Sequence, residues 1–389
     1  MLTDRVNTLS ESITIAITTL AQELKAQGKD ILSFSAGEPD FNTPKVINDA
    51  AIAAINEGFT KYTAVDGIIE LRQAIANKLK RDNDLTYAPN QIITNNGAKH
   101  SLFNLISATI QKGDEVIIPA PYWVTYPELV LYCGGSVVEI QTSDETAFKI
   151  TPEQLKSAIT PKTRMLILTT PSNPTGSIYS KDELIALGKV LEGSDIIVAS
   201  DEMYEKLTFE GTFTSCAAVS EDMFKRTVTI NGLSKSVAMT GWRFGYMAAH
   251  NTELIKATKK LQSQSTSNIN TITQKAAIAG LDGSADADIE MMRLEFIKRR
   301  DEAHTLINKI DGLSVVKPDG AFYLFVNIKD VSSDSLGFSK ELLDKKLVAV
   351  VPGVAFGSEG YFRMSFATDI ETIRTGIARI AEFVKELKA

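Results

Sequence analysis

The chain has 389 residues, 44% of them hydrophobic and 23% charged, and a formal net charge of -7. That length supports one large core or two domains, and the acidic balance argues against a general nucleic-acid binder, which needs a basic surplus. The two cysteines, Cys133 and Cys216, lie far apart and read as small buried residues of a reducing compartment. His100, His250 and His304 sit in no HExxH and beside no paired cysteines, so no metal site is expected. The start, MLTDRVNTLSESITIAI, lacks a basic n-region before a long apolar core, and no apolar run is long enough to span a bilayer. A soluble cytoplasmic protein is the expectation.

Taken in order, Ser12 to Gln27 reads as a helix, with Ile13, Ile17, Leu20, Ala21 and Leu24 on one face and Ser12 as cap. The loop SAGEPDFNTP follows. Its Thr43-Pro44 pair suits the N-cap and first turn of a helix near 44–57. A βα rhythm occupies the middle. Its strands are IITN (92–95), EVIIP (115–119), SVVEI (136–140), MLILTT (165–170), DIIVAS (195–200), TVTIN (227–231) and GYMAAH (245–250). Ser180 and Glu183 form a capping box before one intervening helix. Near-continuous aliphatic strands alternating with helices imply a mostly parallel sheet buried on both faces. Ligands of such sheets bind beyond the carboxyl ends of the strands. After GSADAD the texture changes to a long charged helix (286–309), then AFYLFVNI, VAVVP, FRMSFA and a closing helix from about 369. This stretch reads as a smaller α+β unit, onto which the N-terminal helix packs.

Six features carry candidate chemistry. Lys235 lies just past TVTIN among small residues. Such a lysine can form a Schiff base when neighbouring cations or an apolar pocket lower its pKa, but alone it reads as a surface lysine in a turn. Arg243 follows between Gly241 and Gly245 and suits a phosphate dianion. Asn96-Gly97-Ala98-Lys99 joins a strand to a helix, which makes either an anion site or a plain tight turn. Asp201 arrives at a strand end with Tyr204 nearby, placed to pair with a buried cation or to cap the next turn. Asn173 in PSNPTG and Trp123 in APYWVTYPE also follow strands, offering an amide and a stacking face. Arg363 sits inside the alternating strand YFRMSFA and needs an anion there. One ligand with a phosphate, a planar ring, a ring cation and an aldehyde would use them all: pyridoxal 5'-phosphate.

With SAGEPDFNTP, KYT, NNGAK, APYWVTYPE, PSNPTG, SDEMYE, NGLSKSVAMTGWRFGY, VVPGVAF and FRMSFA in order, nearly the whole chain resembles the class I aminotransferases of the pyridoxal-phosphate fold-type I superfamily. The similarity is greatest to the bacterial aspartate subgroup. The resemblance implies a seven-stranded, mostly parallel sheet in a large domain at 46–284. It also implies a discontinuous small domain at 1–45 and 285–389. It implies that Lys235 binds the cofactor aldehyde and moves the substrate Cα proton, and that Asp201 keeps the ring nitrogen protonated. Tyr204 and Asn173 would bond the ring oxygen, and Trp123 would stack on the ring. Arg243, Ser234 and the Gly97-Ala98-Lys99 turn would hold the phosphate. Tyr62, in KYT, would reach it from the other subunit of a homodimer. Arg363 would clamp the substrate α-carboxylate beside Trp123, Asn173 and the Gly37 backbone. The implied reaction is a ping-pong amino transfer from aspartate to 2-oxoglutarate; the alternatives are an aromatic or broad donor preference, or a C–S lyase of the same fold.

Two departures stand out. Some family members carry a phosphate-binding serine three residues before the lysine, where this chain has Gly232. The segment QSQSTSNINTITQ has no arginine for a distal carboxylate; Ser12, Thr14 and Ser107 are the local polar candidates. A Rossmann dehydrogenase would also fit alternating βα, but GxGxxG is missing after an early strand.

Overall fold

The computed structural model describes residues 2–389. Twelve strands form three sheets. In chain order they are β1 (Leu32–Ser33), β2 (Ile92–Asn95), β3 (Glu115–Ala120), β4 (Ser136–Gln141), β5 (Thr163–Thr169) and β6 (Ile197–Asp201). Then come β7 (Thr227–Gly232), β8 (Gly245–Ala249), β9 (Tyr323–Asn327), β10 (Val348–Ala349), β11 (Val351–Pro352) and β12 (Tyr361–Ser365). The central sheet has seven strands in the order β2-β8-β7-β6-β5-β3-β4. Only β8 runs against its neighbours, so the sheet is mostly parallel, as its aliphatic runs predict. Every residue of β2, β7 and β8 is buried, which explains why their sequences show no polar alternation.

This topology collects chemistry at one edge. The carboxyl ends of β2, β3, β5, β6 and β7 lie there, and antiparallel β8 begins there. Asn96, Trp123, Asn173 and Lys235 follow the strand ends, Asp201 closes β6, and Arg243 precedes the start of β8.

Outside this sheet, β11, β12 and β9 form an antiparallel sheet with β12 in the middle. Strand β1 pairs in parallel with β10, tying residues 32–33 to 348–349. The helix Ile13–Ala26, capped by Ser12 as expected, buries Ala21 with Ile31, Leu343 and Ala349. The long helix spans Asp286–Ile307 and the closing helix Ile370–Lys388. The Ser180–Glu183 capping box is present, with Glu183 N donating to Ser180 Oγ at 3.3 Å and Ser180 N to Glu183 Oε2 at 2.7 Å.

Thr43 does not cap the helix Lys45–Asn56, whose N-cap is Pro44. Its hydroxyl instead donates to the Ala238 carbonyl at 2.8 Å and accepts from Trp242 Nε1 at 3.1 Å. Tertiary partners displaced the local one, and the SAGEPDFNTP segment is thereby fastened to the loop that carries Lys235.

Candidate active site

Gly37, Ala98, Lys99, Trp123, Asn173, Asp201, Tyr204, Ser234, Lys235, Arg243 and Arg363 line one pocket of ≈ 440 Å³, whereas Gly97 shapes it from behind and Tyr62 lies outside it. That size suits a small organic ligand. Tyr62 stands 91% exposed, away from the pocket of its own chain.

At one end the helix Ala98–Thr109 begins. Its first-turn amides, those of Ala98 and Lys99, have no acceptor within the helix and point outward from its positive end. Gly97 adopts φ 80°, and a Cβ there would stand 2.6 Å from Arg243 Nη2. A glycine is thus required for the guanidinium to lie against the turn. Gly245 is equally constrained, since a Cβ on it would collide with the Gly97 and Ala98 backbone, whereas Gly241 meets nothing. Arg243 itself holds φ 58°, rare for a non-glycine residue. Its Nη1 donates to the Thr240 carbonyl at 2.8 Å. Ser234 is buried beside this end, whereas a side chain at Gly232 would meet the Phe244 carbonyl at 2.7 Å. Packing therefore forbids the serine that some family members carry there.

The Asn96–Lys99 turn is braced from below by Gln262, a residue sequence reasoning missed. Its Oε1 accepts from Asn95 Nδ2 at 2.6 Å and Asn104 Nδ2 at 3.0 Å, while Nε2 donates to the Val65 and Thr94 carbonyls at 2.9 and 3.0 Å. All four bonds of the amide are made. The segment searched for an arginine supplies this strut instead.

At the other end, Asp201 is 5% exposed and forms no salt bridge among the described residues. Its Oδ2 accepts from Tyr126 OH at 2.7 Å, and Oδ1 from the Met203 amide at 3.3 Å. The turn-capping reading holds for Oδ1, and the carboxylate faces the pocket. Burial raises its pKa, against the Tyr126 hydrogen bond, the Met203 amide and the Lys235 charge. Tyr126 was not anticipated, although it stands three residues after Trp123. The two rings meet edge-on at 5.5 Å.

Lys235 lies between these ends, and its ammonium donates to the Gly37 carbonyl. Burial pushes its pKa down to about 8; Arg363 and Arg243 act in the same direction, while Glu38 and Asp201 oppose it. A good fraction of the amine is therefore neutral near physiological pH, as a nucleophile or base needs. Lys99 Nζ sits 4.9 Å above the Trp123 ring and is bonded to no carboxylate. Burial, then the neighbouring Arg243 charge, lowers its pKa.

Arg363 comes from β12 and is 2% exposed. Nη1 donates to Asn173 Oδ1 at 2.9 Å and Nη2 to the Ser35 carbonyl at 2.7 Å. Its Nε is buried without a partner. The guanidinium lies 4.4 Å from the Tyr323 ring centroid and 5.1 Å from that of Phe356. Tyr323 OH in turn shares a hydrogen bond of 2.9 Å with Tyr204 OH, and burial raises the Tyr204 pKa. Tyr323 went unnoticed because its sequence context, AFYLFVNI, is indistinguishable from core. Of the polar candidates for a distal group, only Thr14 lines the pocket. Ser12 is spent as a helix cap, and Ser107 Oγ lies 3.6 Å from Cys133 Sγ on the helix Ala98–Thr109.

Fold and site together define a lysine-centred α/β transferase with an anion turn at one end and a carboxylate at the other. The aminotransferase class I and II family model matches residues 29–380. Curated relatives include the aspartate aminotransferase of Bacillus subtilis, 48% identical over 99% of both chains. The aspartate/prephenate aminotransferase of Nitrosomonas europaea is 46% identical over 98% of this chain and 99% of its own. Among solved structures, aspartate aminotransferase from Thermus thermophilus with maleate superposes with a TM-score of 0.95 at 41% identity, covering 98% of this chain and 99% of that one. The chain belongs to the aminotransferase class I and II family and is an aminotransferase, an enzyme class whose chemistry runs on pyridoxal phosphate. No helix among the described residues is long and apolar enough to cross a membrane.

Proposed function

We propose that this chain transfers the amino group of aspartate to 2-oxoglutarate, using pyridoxal 5'-phosphate bound in the pocket. The observation that carries this reading is Asp201. It is a buried carboxylate without a bonded cation, in the same pocket as a lysine of lowered pKa and an anion turn. A protonated ring nitrogen would complete Asp201, and a phosphate would complete the turn. The cofactor supplies an electron sink for the pair left when the substrate Cα loses its proton.

In this reading Arg243, Ser234 and the amides at Gly97-Ala98-Lys99 hold the phosphate. Trp123 covers the ring, while Tyr204 and Asn173 meet its oxygen. Arg363 binds the substrate α-carboxylate through its fork, aided by Asn173, Trp123 and the Gly37 backbone. That contact orients the Cα–H bond toward Lys235, which removes the proton as the neutral amine. The ammonium of Lys99, free of carboxylate partners and set over the Trp123 ring, takes the distal carboxylate of a dicarboxylic substrate. The names of the relatives, and the maleate in the Thermus structure, favour such a substrate.

The reading includes a homodimer in which the partner subunit's Tyr62 completes the phosphate site. Its 91% exposure, with Ile52, Ile55 and Ile69 also exposed, supports a covered surface there. It also divides the chain into a cofactor domain at 46–284 and a small domain at 1–45 and 285–389. The pairing of β1 with β10 favours that division. A donor panel with 2-oxoglutarate tests the function. Aspartate should give the highest kcat/KM; a higher value for an aromatic donor, or ammonia release without an oxo acid, would overturn the assignment.

A further inference from the structure

Along β7, the start of β8 and the end of β6, the sheet face turned away from Asp201 is polar where a buried face is ordinarily aliphatic. Side chains alternate along a strand, so Ser200 and Glu202 lie on the far side of the sheet from Asp201. The register adds Thr227, Thr229 and Asn231 of β7 and Tyr246 of β8 to that side. None of these is more than 2% exposed. Glu202 Oε1 accepts three hydrogen bonds: from Ser200 Oγ at 2.8 Å, Ser215 Oγ at 2.7 Å and the Cys216 amide at 3.2 Å. Its Oε2 has no partner, and neither do Tyr87 OH, Thr229 Oγ1, Asn231 Nδ2 and Tyr246 OH. The transfer reaction uses none of these groups.

We propose that Glu202 is a positioning residue for aminotransfer: as the neutral acid it clamps the Asp201–Tyr204 turn from behind and leaves Asp201 the one carboxylate charge at this strand end. The clamp joins the turn to the Ser215–Cys216 segment by bonds that Gln could also accept. Neutrality follows from the surroundings. No salt bridge among the described residues reaches Glu202, and Lys78, the cation whose charge bears on it, is engaged by Glu205 and by Asn83 Oδ1 at 2.8 Å. The titratable groups whose charges bear on it are Glu205 from the following turn, Lys78 from the helix Ile69–Asn83, Cys216, Tyr87 and Tyr246, while Asp82 and Lys206 pair with each other beside Lys78. A protonated Oε2 brings no charge into this buried site, whereas an ionised one, lacking any partner, would be a bare buried anion. Burial pushes the Glu202 pKa up to about 7; the Glu205 charge adds to this, and the Ser215 and Ser200 hydroxyls and Lys78 oppose it. An anion here, back to back with Asp201, would drive Asp201 toward its own protonated form. The inference rests on the role given to Asp201 above.

The sign of the pH effect follows from linkage. Unfolded, Glu202 releases its proton near the ordinary value of 4.5; folded, it keeps it to about 7. The native state therefore loses stability as pH rises through that window. The test compares the wild type with Glu202→Gln and Glu202→Leu. In the cofactor-free protein, the Tm of Glu202→Gln should gain on wild type as pH is raised from about 5 to about 8. A constant gap would overturn the neutral acid, whether or not the cofactor assignment holds. In the loaded protein at about pH 6, where Glu202 holds its proton, the visible spectrum and cofactor retention of Glu202→Gln should match those of wild type. Glu202→Leu should alter that spectrum and release cofactor about tenfold faster. A leucine variant with wild-type spectrum and retention, or a glutamine variant that behaves like leucine, would sink the clamp. Should leucine prevent folding, the two glutamine measurements still decide. A wild type that never takes up cofactor refutes the cofactor reading instead, and leaves the Tm comparison standing.

Discussion

Two arginines face the same pocket and are held in opposite ways. Arg243 is exposed, sits at positive φ and bonds to the Thr240 carbonyl three residues away. Arg363 is buried in the middle strand of a sheet, stacked on Tyr323, and held by Asn173 and by Ser35, which lie 190 and 328 residues distant. The first is held open to solvent by its own loop, against the Gly97 turn. The second is assembled by the whole fold. An arginine that water can reach is cheap to keep and easy to displace; a buried one without a carboxylate partner is maintained only for an anion that arrives later.

The sharpest way to break this contrast is Arg363→Ala. Removing one member of a buried, charge-assisted pair should lower kcat/KM for every amino donor by roughly 10²–10³-fold, with cofactor retention unchanged. Steady-state kinetics alongside the bound-cofactor absorbance will check both halves. Arg243→Gln should do the reverse. Cofactor affinity should fall about 10–100-fold, while kcat at saturating cofactor stays within severalfold, as measured by titrating the cofactor-free enzyme. If the two variants behaved alike, the division of labour between the arginines would be wrong.

Lys99→Met sharpens the carboxylate side. KM for aspartate should rise about tenfold while that for alanine, which has no distal carboxylate, hardly moves. An equal rise for both donors would place Lys99 on the phosphate instead. The smallest effect concerns Lys235. With its pKa near 8, the neutral fraction grows as pH rises toward that value. Uptake of pyridoxal phosphate by the cofactor-free enzyme should therefore quicken roughly fivefold between about pH 7 and about pH 8, then level off. Stopped-flow absorbance would record it, and a rate rising steadily to pH 10 would indicate an ordinary lysine.

Much of the pocket was legible because parallel α/β sheets present ligands at strand ends. Lys235, Asp201, Asn173 and Trp123 each follow a recognisable aliphatic run, so their convergence could be read before any coordinates. Tyr126, Tyr323 and Gln262 were not legible. Their partners, Asp201, Tyr204 and Asn95, lie 75, 119 and 167 residues away, and an aromatic or a glutamine inside an amphipathic segment looks like packing. Thr43 failed for the opposite reason: a good local cap motif was outbid by tertiary hydrogen bonds.

By itself, then, the sequence determined which residues stand at strand ends, because periodicity acts over a few residues. Tertiary structure decided the rest. It aimed Arg363 across the pocket, denied Gly232 a side chain, withdrew Ser107 from the site, and sealed Glu202 behind Asp201. Each of these depends on which distant atoms occupy the neighbouring space, and no local pattern encodes that.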